Sequence, residues 1–268
     1  MADDRWFQRH GSATDPELRL VCFPHAGGAS SFFRTWPHHL PDGMELLATC
    51  YPGRQGRFAE PHATSMDDLA DSITDALSSF VDTPLALFGH SMGAYVAYEV
   101  ALRLTAKYDV RPLKLFVSGS AAPQLNEPSG LDLADSDALV TSVRAMGSVS
   151  GQVIDNPELL EMVLPALRAD FRLTEGYRPS PPSKVRSPIV AYVGDQDLDC
   201  DLDAVRAWSQ VSAARFELRV FPGDHFYLEQ REPELLRHLV GHLRDDLRLH
   251  QVLRASAARQ RASGGRDA

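Results

Sequence analysis

The residues best equipped for chemistry in this chain are Gly89-His90-Ser91-Met92-Gly93, which fit G-x-S-x-G. They lie between the apolar run Leu85–Phe88 and a helical pattern from Ala94 to Thr105. A serine between small residues at a strand-to-helix turn can take the strained backbone that presents its hydroxyl to a cleft. The N-terminus of the following helix then favours developing negative charge beside it. The alternative is a turn that merely contains serine, and the strand-before, helix-after setting argues against it.

A serine hydroxyl needs a base to take its proton, and the base needs an orienting acid. On a parallel sheet one recurrent chain order is serine, acid, histidine. Downstream of Ser91 stand four histidines: His225, His238, His242 and His250. The last three fall in a C-terminal helical pattern, where a solvated face accounts for them. His225 instead follows the strand-like run Phe216–Phe221 and a Pro-Gly-Asp turn, on the sheet edge that can reach Ser91. The acid is expected in Gly194-Asp195-Gln196-Asp197, after the run Pro188–Val193. Asp197 is preferred, because Asp195 is close enough to the strand end to brace the turn. Asp224, adjacent to His225, is expected to point away from its ring. An oxyanion hole requires two backbone N–H donors. Met92 can supply one, and Pro24-His25-Ala26-Gly27-Gly28 after the first strand-like run suits the other. His25 reads as a loop or substrate-contact residue, and His90 is held too close to the serine to act as its base. His238 and His242 stand at i, i+4 and could share a metal ion, but the sequence places no third ligand beside them, so no metal site is assigned.

These groups need a scaffold. The runs Leu18–Phe23, Met44–Cys50, Leu85–Phe88, Lys114–Ser118, Pro188–Val193 and Phe216–Phe221 read as strands. Several are apolar almost throughout, as parallel strands covered on both faces should be. Met66–Phe80, Ser91–Lys107, Leu202–Val211 and Pro233–Leu247 carry helical spacing between them. The alternation predicts an α/β fold with a mostly parallel sheet and a site beyond the carboxyl ends of the strands. From about 126 to 182 the alternation stops. Two helical segments, Ser136–Met146 and Pro157–Tyr177, flank the Gly/Ser-rich piece Gly147–Gly151. A mobile cap over the site is one reading of this insertion, and a rigid extra layer is the other. A single domain over 1–254 is expected, and the Ala-, Arg-, Ser- and Gly-rich stretch 255–268 reads as a disordered tail.

The bulk properties narrow the class. The 268 residues carry a net charge of −9 and 44% hydrophobic side chains, enough for one large core. An acidic balance speaks against nucleic acid or anionic membrane as partners. Three widely spaced cysteines suggest a reducing compartment, and the N-terminus has no apolar signal core, so a cytoplasmic location is expected.

An ordered set of motifs adds to this reading. It comprises Phe23-Pro-His-Ala-Gly-Gly28, Tyr51-Pro-Gly-Arg54 with Arg57 and Glu60-Pro61, Gly89–Gly93, Gly194–Asp197 and Gly223-Asp-His-Phe226. Together they resemble a type II thioesterase, the discrete editing enzyme that accompanies polyketide synthases and nonribosomal peptide synthetases. Leu167-Arg-Ala-Asp-Phe171 is similar to that family's lid. The resemblance implies an α/β-hydrolase fold with a helical lid, nucleophile, acid and base at Ser91, Asp197 and His225, and oxyanion donors at Ala26 and Met92. It also implies hydrolysis of acyl groups from the phosphopantetheine arm of acyl or peptidyl carrier proteins. No cofactor of the enzyme's own and a monomeric state are expected. Arg54 and Arg57 could meet an acidic carrier or the arm's phosphate, or form internal salt bridges. The rivals are a stand-alone carboxylesterase or small-molecule acyl-thioesterase, a release enzyme that terminates or cyclises a finished product, and a non-catalytic acyl-binding or docking protein.

Overall fold

Alternation of buried side chains between two cores explains why several strands read as apolar almost throughout. In β2 (Leu18–Phe23), Leu18, Leu20 and Cys22 face one core while Val21 and Phe23 face the other. β4 (Leu85–His90) divides the same way, with Leu85 and Leu87 against Ala86 and Phe88. The computed structural model describes residues 4–10, 15–147, 153, 155–179 and 181–264.

β1 is Phe7–His10, β3 Met44–Thr49, β5 Leu115–Ser118, β6 Ile189–Gly194 and β7 Phe216–Phe221. The sheet order is β1-β3-β2-β4-β5-β6-β7, with β1 antiparallel to β3 and every other pair parallel. β1 is not foreseen from sequence. It is four residues long, and Phe7 alone in it is buried, so it carries little apolar signal.

Helices α1 (Met66–Leu77) and α2 (Met92–Tyr108) cover one face. Ser65 caps α1, its hydroxyl accepting from the Asp68 N–H at 3.0 Å. On the same side, the expected helix 202–211 is α5 (Leu202–Arg206) followed by a 3₁₀ segment, Ala207–Val211, that buries Trp208. The other face is covered by Phe33, Trp36 and the last helix, α7 (Glu232–Gly264), which buries Leu235, Leu236, Leu239 and Leu243. α6 is the short turn Tyr227–Gln230. α7 runs into the stretch assigned from composition to a disordered tail, and the backbone is helical as far as Gly264. Alanine, arginine and glutamine there are good helix formers, which the compositional argument overlooks. Residues 265–268 lie outside the described residues.

The 126–182 insertion holds α3 (Ser136–Met146) and α4 (Pro157–Gly176), capped by Asp135 and Asn156. These helices share a small core of their own, Leu139, Val143 and Leu167 with Val163 and Phe171 packed on it. Of the Gly/Ser-rich joint, Gly147 ends α3 in the left-handed conformation, and 148–151 lie outside the described residues.

Gly93 marks where α2 crosses β2. A Cβ on it would run into the carbonyl oxygens of Phe23 and Pro24. Gly93→Ala should therefore lower stability by about 1–3 kcal/mol through overpacking, read as a reduced urea midpoint with an unchanged m-value.

Candidate active site

Ser91 joins β4 to α2 with φ 54° and ψ −123°, a combination that a non-glycine residue holds only under strain. Three contacts fix it. The Ser91 N–H donates to the Ser118 carbonyl at 2.8 Å, and its carbonyl accepts from the Ala94 N–H at 2.9 Å. Gly89 allows the third, since a Cβ there would collide with the Gly93 backbone across the turn. The serine thus stands at the N-terminus of a 17-residue helix, and it lines a cavity of about 400 Å³ with His25, Ala26, Met92 and His225.

His225 sits in the loop between β7 and α6, as its position in the sequence suggests. Its Nδ1 lies 2.8 Å from Asp197 Oδ2, and the Asp197 side chain is fully buried. The neighbouring carboxylates have other work. Asp195 Oδ1 accepts from the Gly223 N–H at 3.0 Å and ties the two loops together, while Asp224 Oδ1 accepts from the Phe226 N–H at 2.9 Å. Of these carboxylates, Asp197 is the one in hydrogen-bond contact with the His225 ring. Asp199 lies near the pair. Burial, reinforced by the charge of Asp197, raises its pKa, and His225 works against that rise.

The loop after β2 presents its backbone to the same cavity. The Gly28 N–H donates to the His25 carbonyl at 2.9 Å, closing a turn in which Gly27 has φ 74°. The Gly27 N–H is taken by Asp170 Oδ2 at 2.7 Å. His25 is buried and packs edge-on against Phe32 and Phe226, at 4.8 Å from each ring. That is a wall position, in keeping with a loop or substrate-contact role.

What sequence reasoning misses is the support beneath this loop. Arg54, on the loop after β3, donates to both carboxylate oxygens of Asp170 at 2.6 and 2.7 Å and to the Gly28 carbonyl at 3.0 Å. Both side chains are buried. Burial works against the Arg54 charge, but Asp170 outweighs it and holds the guanidinium more firmly protonated than usual. Arg57 is turned inward as well, forking onto Glu60 at 2.6 and 3.0 Å with its guanidinium over the Trp6 ring. Of the two roles open to these arginines, the internal salt bridge is the one observed. The signal was present in the Leu167–Phe171 motif, but linking Asp170 to a residue 116 positions away requires the fold.

His90 is fully buried behind the serine, with Nδ1 3.0 Å from Ser118 Oγ, which in turn lies 2.7 Å from the Tyr227 hydroxyl. Burial, with smaller contributions from His225 and His25, drives its pKa well below 6.5. It is a neutral support for the turn.

The Thioesterase domain family model matches residues 18–243. The chain belongs to the thioesterase family. It is 37% identical over 239 residues to Thioesterase PikA5 of Streptomyces venezuelae, covering 89% of this chain and 85% of that protein. It is similar to the solved type II thioesterase BorB from the borrelidin biosynthetic cluster, with a TM-score of 0.83, 36% identity, and 90% and 98% of the two chains covered. RedJ, a thioesterase from the prodiginine pathway of Streptomyces coelicolor, gives a TM-score of 0.79 at 36% identity, covering 90% and 93%. The α/β-hydrolase fold and the class of enzyme, a hydrolase acting on thioesters, follow from this membership. Among the described residues no helix is long and apolar enough to cross a membrane.

Removing either half of the Arg54–Asp170 pair should cost about 3–5 kcal/mol by leaving a buried charge unpaired. In urea unfolding, Arg54→Met and Asp170→Leu combined should be less destabilised than the sum of the single variants. His90 makes a second, pH-dependent prediction. Its folded pKa lies below its unfolded value, so the unfolded chain takes up the proton first and stability falls as pH drops below about 6.5. The loss approaches about 1.4 kcal/mol per pH unit for one proton. Wild type should lose stability more steeply between pH 6.5 and 5 than His90→Asn does.

Proposed function

We propose that this thioesterase hydrolyses acyl groups from the phosphopantetheine arm of acyl or peptidyl carrier proteins. On this reading it clears aberrantly acylated carriers in polyketide or nonribosomal peptide biosynthesis. The observation that carries the catalytic part is the buried Asp197–His225 pair opening onto the cavity that Ser91 lines. The carrier part rests on family membership and on the biosynthetic clusters from which similar thioesterases come.

In this mechanism His225 takes the Ser91 proton as the serine oxygen attacks the thioester carbonyl. The Ala26 and Met92 N–H groups hold the oxyanion. Gly27 is already committed to Asp170, which leaves Ala26 as the donor of that turn. Collapse expels the carrier thiolate, which takes the proton back from His225 and leaves an acyl-serine. A water molecule then loses a proton to His225 and attacks the acyl carbon, and His225 returns that proton to the Ser91 oxygen as the free acid leaves. Asp197 keeps the imidazole oriented and stabilises its protonated form. The acyl chain arrives already attached to its arm, so the reaction draws on no cofactor of the enzyme's own. We take the enzyme to act as a monomer, with α3 and α4 as the lid over the acyl group.

Two features bear on the choice of acyl group. The cavity is modest, and the carboxylates of Glu127, Glu175, Asp199 and Asp201 line it. Short neutral acyl groups suit it, whereas an acyl chain ending in a carboxylate meets like charge. A second cavity, lined by Gly27, Gly28, Arg34 and Val163, lies on the other side of the His25 wall and is our candidate for the arm's approach.

The deciding experiment is hydrolysis of a panel of acyl-carrier proteins alongside acyl-pantetheine and simple esters. Acetyl and propionyl carriers should turn over at least about tenfold faster than malonyl carriers, a difference of about 1.4 kcal/mol at the transition state. Ser91→Ala should abolish turnover while leaving the fold intact. Equal rates on free esters would point to a general esterase instead, and unchanged hydrolysis by Ser91→Ala would remove the triad assignment.

A further inference from the structure

His238 and His242 lack a third partner when read along the chain, but the fold supplies one. Glu217, the second residue of β7, reaches across to α7 and places Oε1 3.4 Å from His238 Nε2 and 3.4 Å from His242 Nε2. One ligand atom from each of the three residues falls within a 4.8 Å set. We infer that Glu217, His238 and His242 form a binding site for a divalent transition-metal ion of the zinc type, fastening α7 to the edge strand β7.

The spacing is the first support. A tetrahedral ion with bonds of about 2.0–2.1 Å separates its ligand atoms by about 3.3–3.4 Å along each edge. Both nitrogen–oxygen separations match that edge. They are also longer than the roughly 2.7–2.9 Å of a direct charge-assisted hydrogen bond. The arrangement thus leaves room for an ion between the groups. Two imidazoles at i, i+4 on one helix with a carboxylate opposite make a borderline-soft donor set, suited to zinc rather than to calcium or magnesium.

The second support is the setting of His238. Its other ring nitrogen, Nδ1, lies 3.0 Å from the Tyr192 hydroxyl on β6. That contact can fix the ring with Nε2 turned to Glu217, as outer partners do for metal-bound histidines. The two imidazole rings stand 4.7 Å apart, edge to face. The groove over the helix also holds Arg219 and Arg237, whose positive charges oppose a cation. Arg219 is engaged elsewhere, donating to Glu234 at 2.7 Å and lying over the Phe221 ring. A water molecule in the groove can complete the fourth position.

This site is separate from the hydrolytic one and does not depend on the thioesterase reading. Glu217 lies toward the start of β7, whereas His225 follows its far end. β7 is the last strand of the sheet, and among the described residues its outer edge has no strand partner. An ion joining it to α7 would protect an edge otherwise open to pairing with another chain.

The test uses the full chain, freed of any affinity tag and stripped with chelator, titrated with Zn²⁺ in a calorimeter and with Co²⁺ in the visible spectrum. The expected result is one equivalent of Zn²⁺, the intense absorption of four-coordinate Co²⁺, and a raised Tm with stoichiometric zinc. Glu217→Gln, His238→Gln and His242→Gln should each weaken binding by at least about tenfold and remove the Tm rise, and Tyr192→Phe should weaken it by about tenfold. Thioester hydrolysis by His242→Gln should match wild type. Asp197, Asp199 and His225 form a second group close enough to hold an ion, so His225→Ala serves as the control and should bind zinc normally. Absence of binding by the wild-type chain would overturn the proposal, as would binding lost in His225→Ala but kept in His242→Gln.

Discussion

The buried ion pair between Arg54 and Asp170 ties together three parts of the chain that the sheet alone does not hold in register. Arg54 comes from the loop after β3, Asp170 from the long helix of the insertion, and between them they bind the Gly27 N–H and the Gly28 carbonyl. A bare charge at this depth would be costly. Here each partner neutralises the other and satisfies part of a backbone turn as well. The result is a loop held on both sides of its turn, at the Gly27 N–H and at the Gly28 carbonyl. Leu167, one turn before Asp170, packs over Gly27, where an added Cβ would strike its side chain. Loop and insertion are therefore positioned by one contact set.

The strain at Ser91 belongs to the same design. A backbone at φ 54° persists because strand pairing on one side and a helix on the other leave no alternative. The supports behind it, His90, Ser118 and Tyr227, form a chain of polar contacts in the interior. Desolvation keeps His90 uncharged there.

Much of this was legible in the sequence, and the reason is the shortness of the interactions involved. A largely apolar run marked the bounds of β2, alternation of apolar and charged residues marked those of β7, and the glycines around Ser91 announced a turn whose crowding is local. His225 and Asp197 could be chosen because both follow strands on the same sheet edge. Relationships decided by tertiary packing were out of reach. The inward turn of Arg54 depends on Asp170, and the placing of Glu217 opposite two helical histidines depends on how α7 crosses β7. β1 escaped because antiparallel pairing with β3 defines it, rather than its own composition. The helical backbone from 255 to Gly264 escaped for the opposite reason, since residues common in disordered tails are also good helix formers.

The insertion has a small core of its own, Leu139, Val143 and Leu167, which shares no residue with the two cores that flank the sheet, while α4 also places Leu173 in one of those. That separation has an evolutionary consequence. Substitutions in α3, which lends Ser142 and Met146 to the cavity beside Ser91, therefore fall outside the cores that hold the sheet and its turn. Relatives can then diverge in the substrates they accept while sharing one scaffold, provided that the residues facing Gly27 and Arg54 stay in place. α3 is in effect an exchangeable part, and α4 is its fitting.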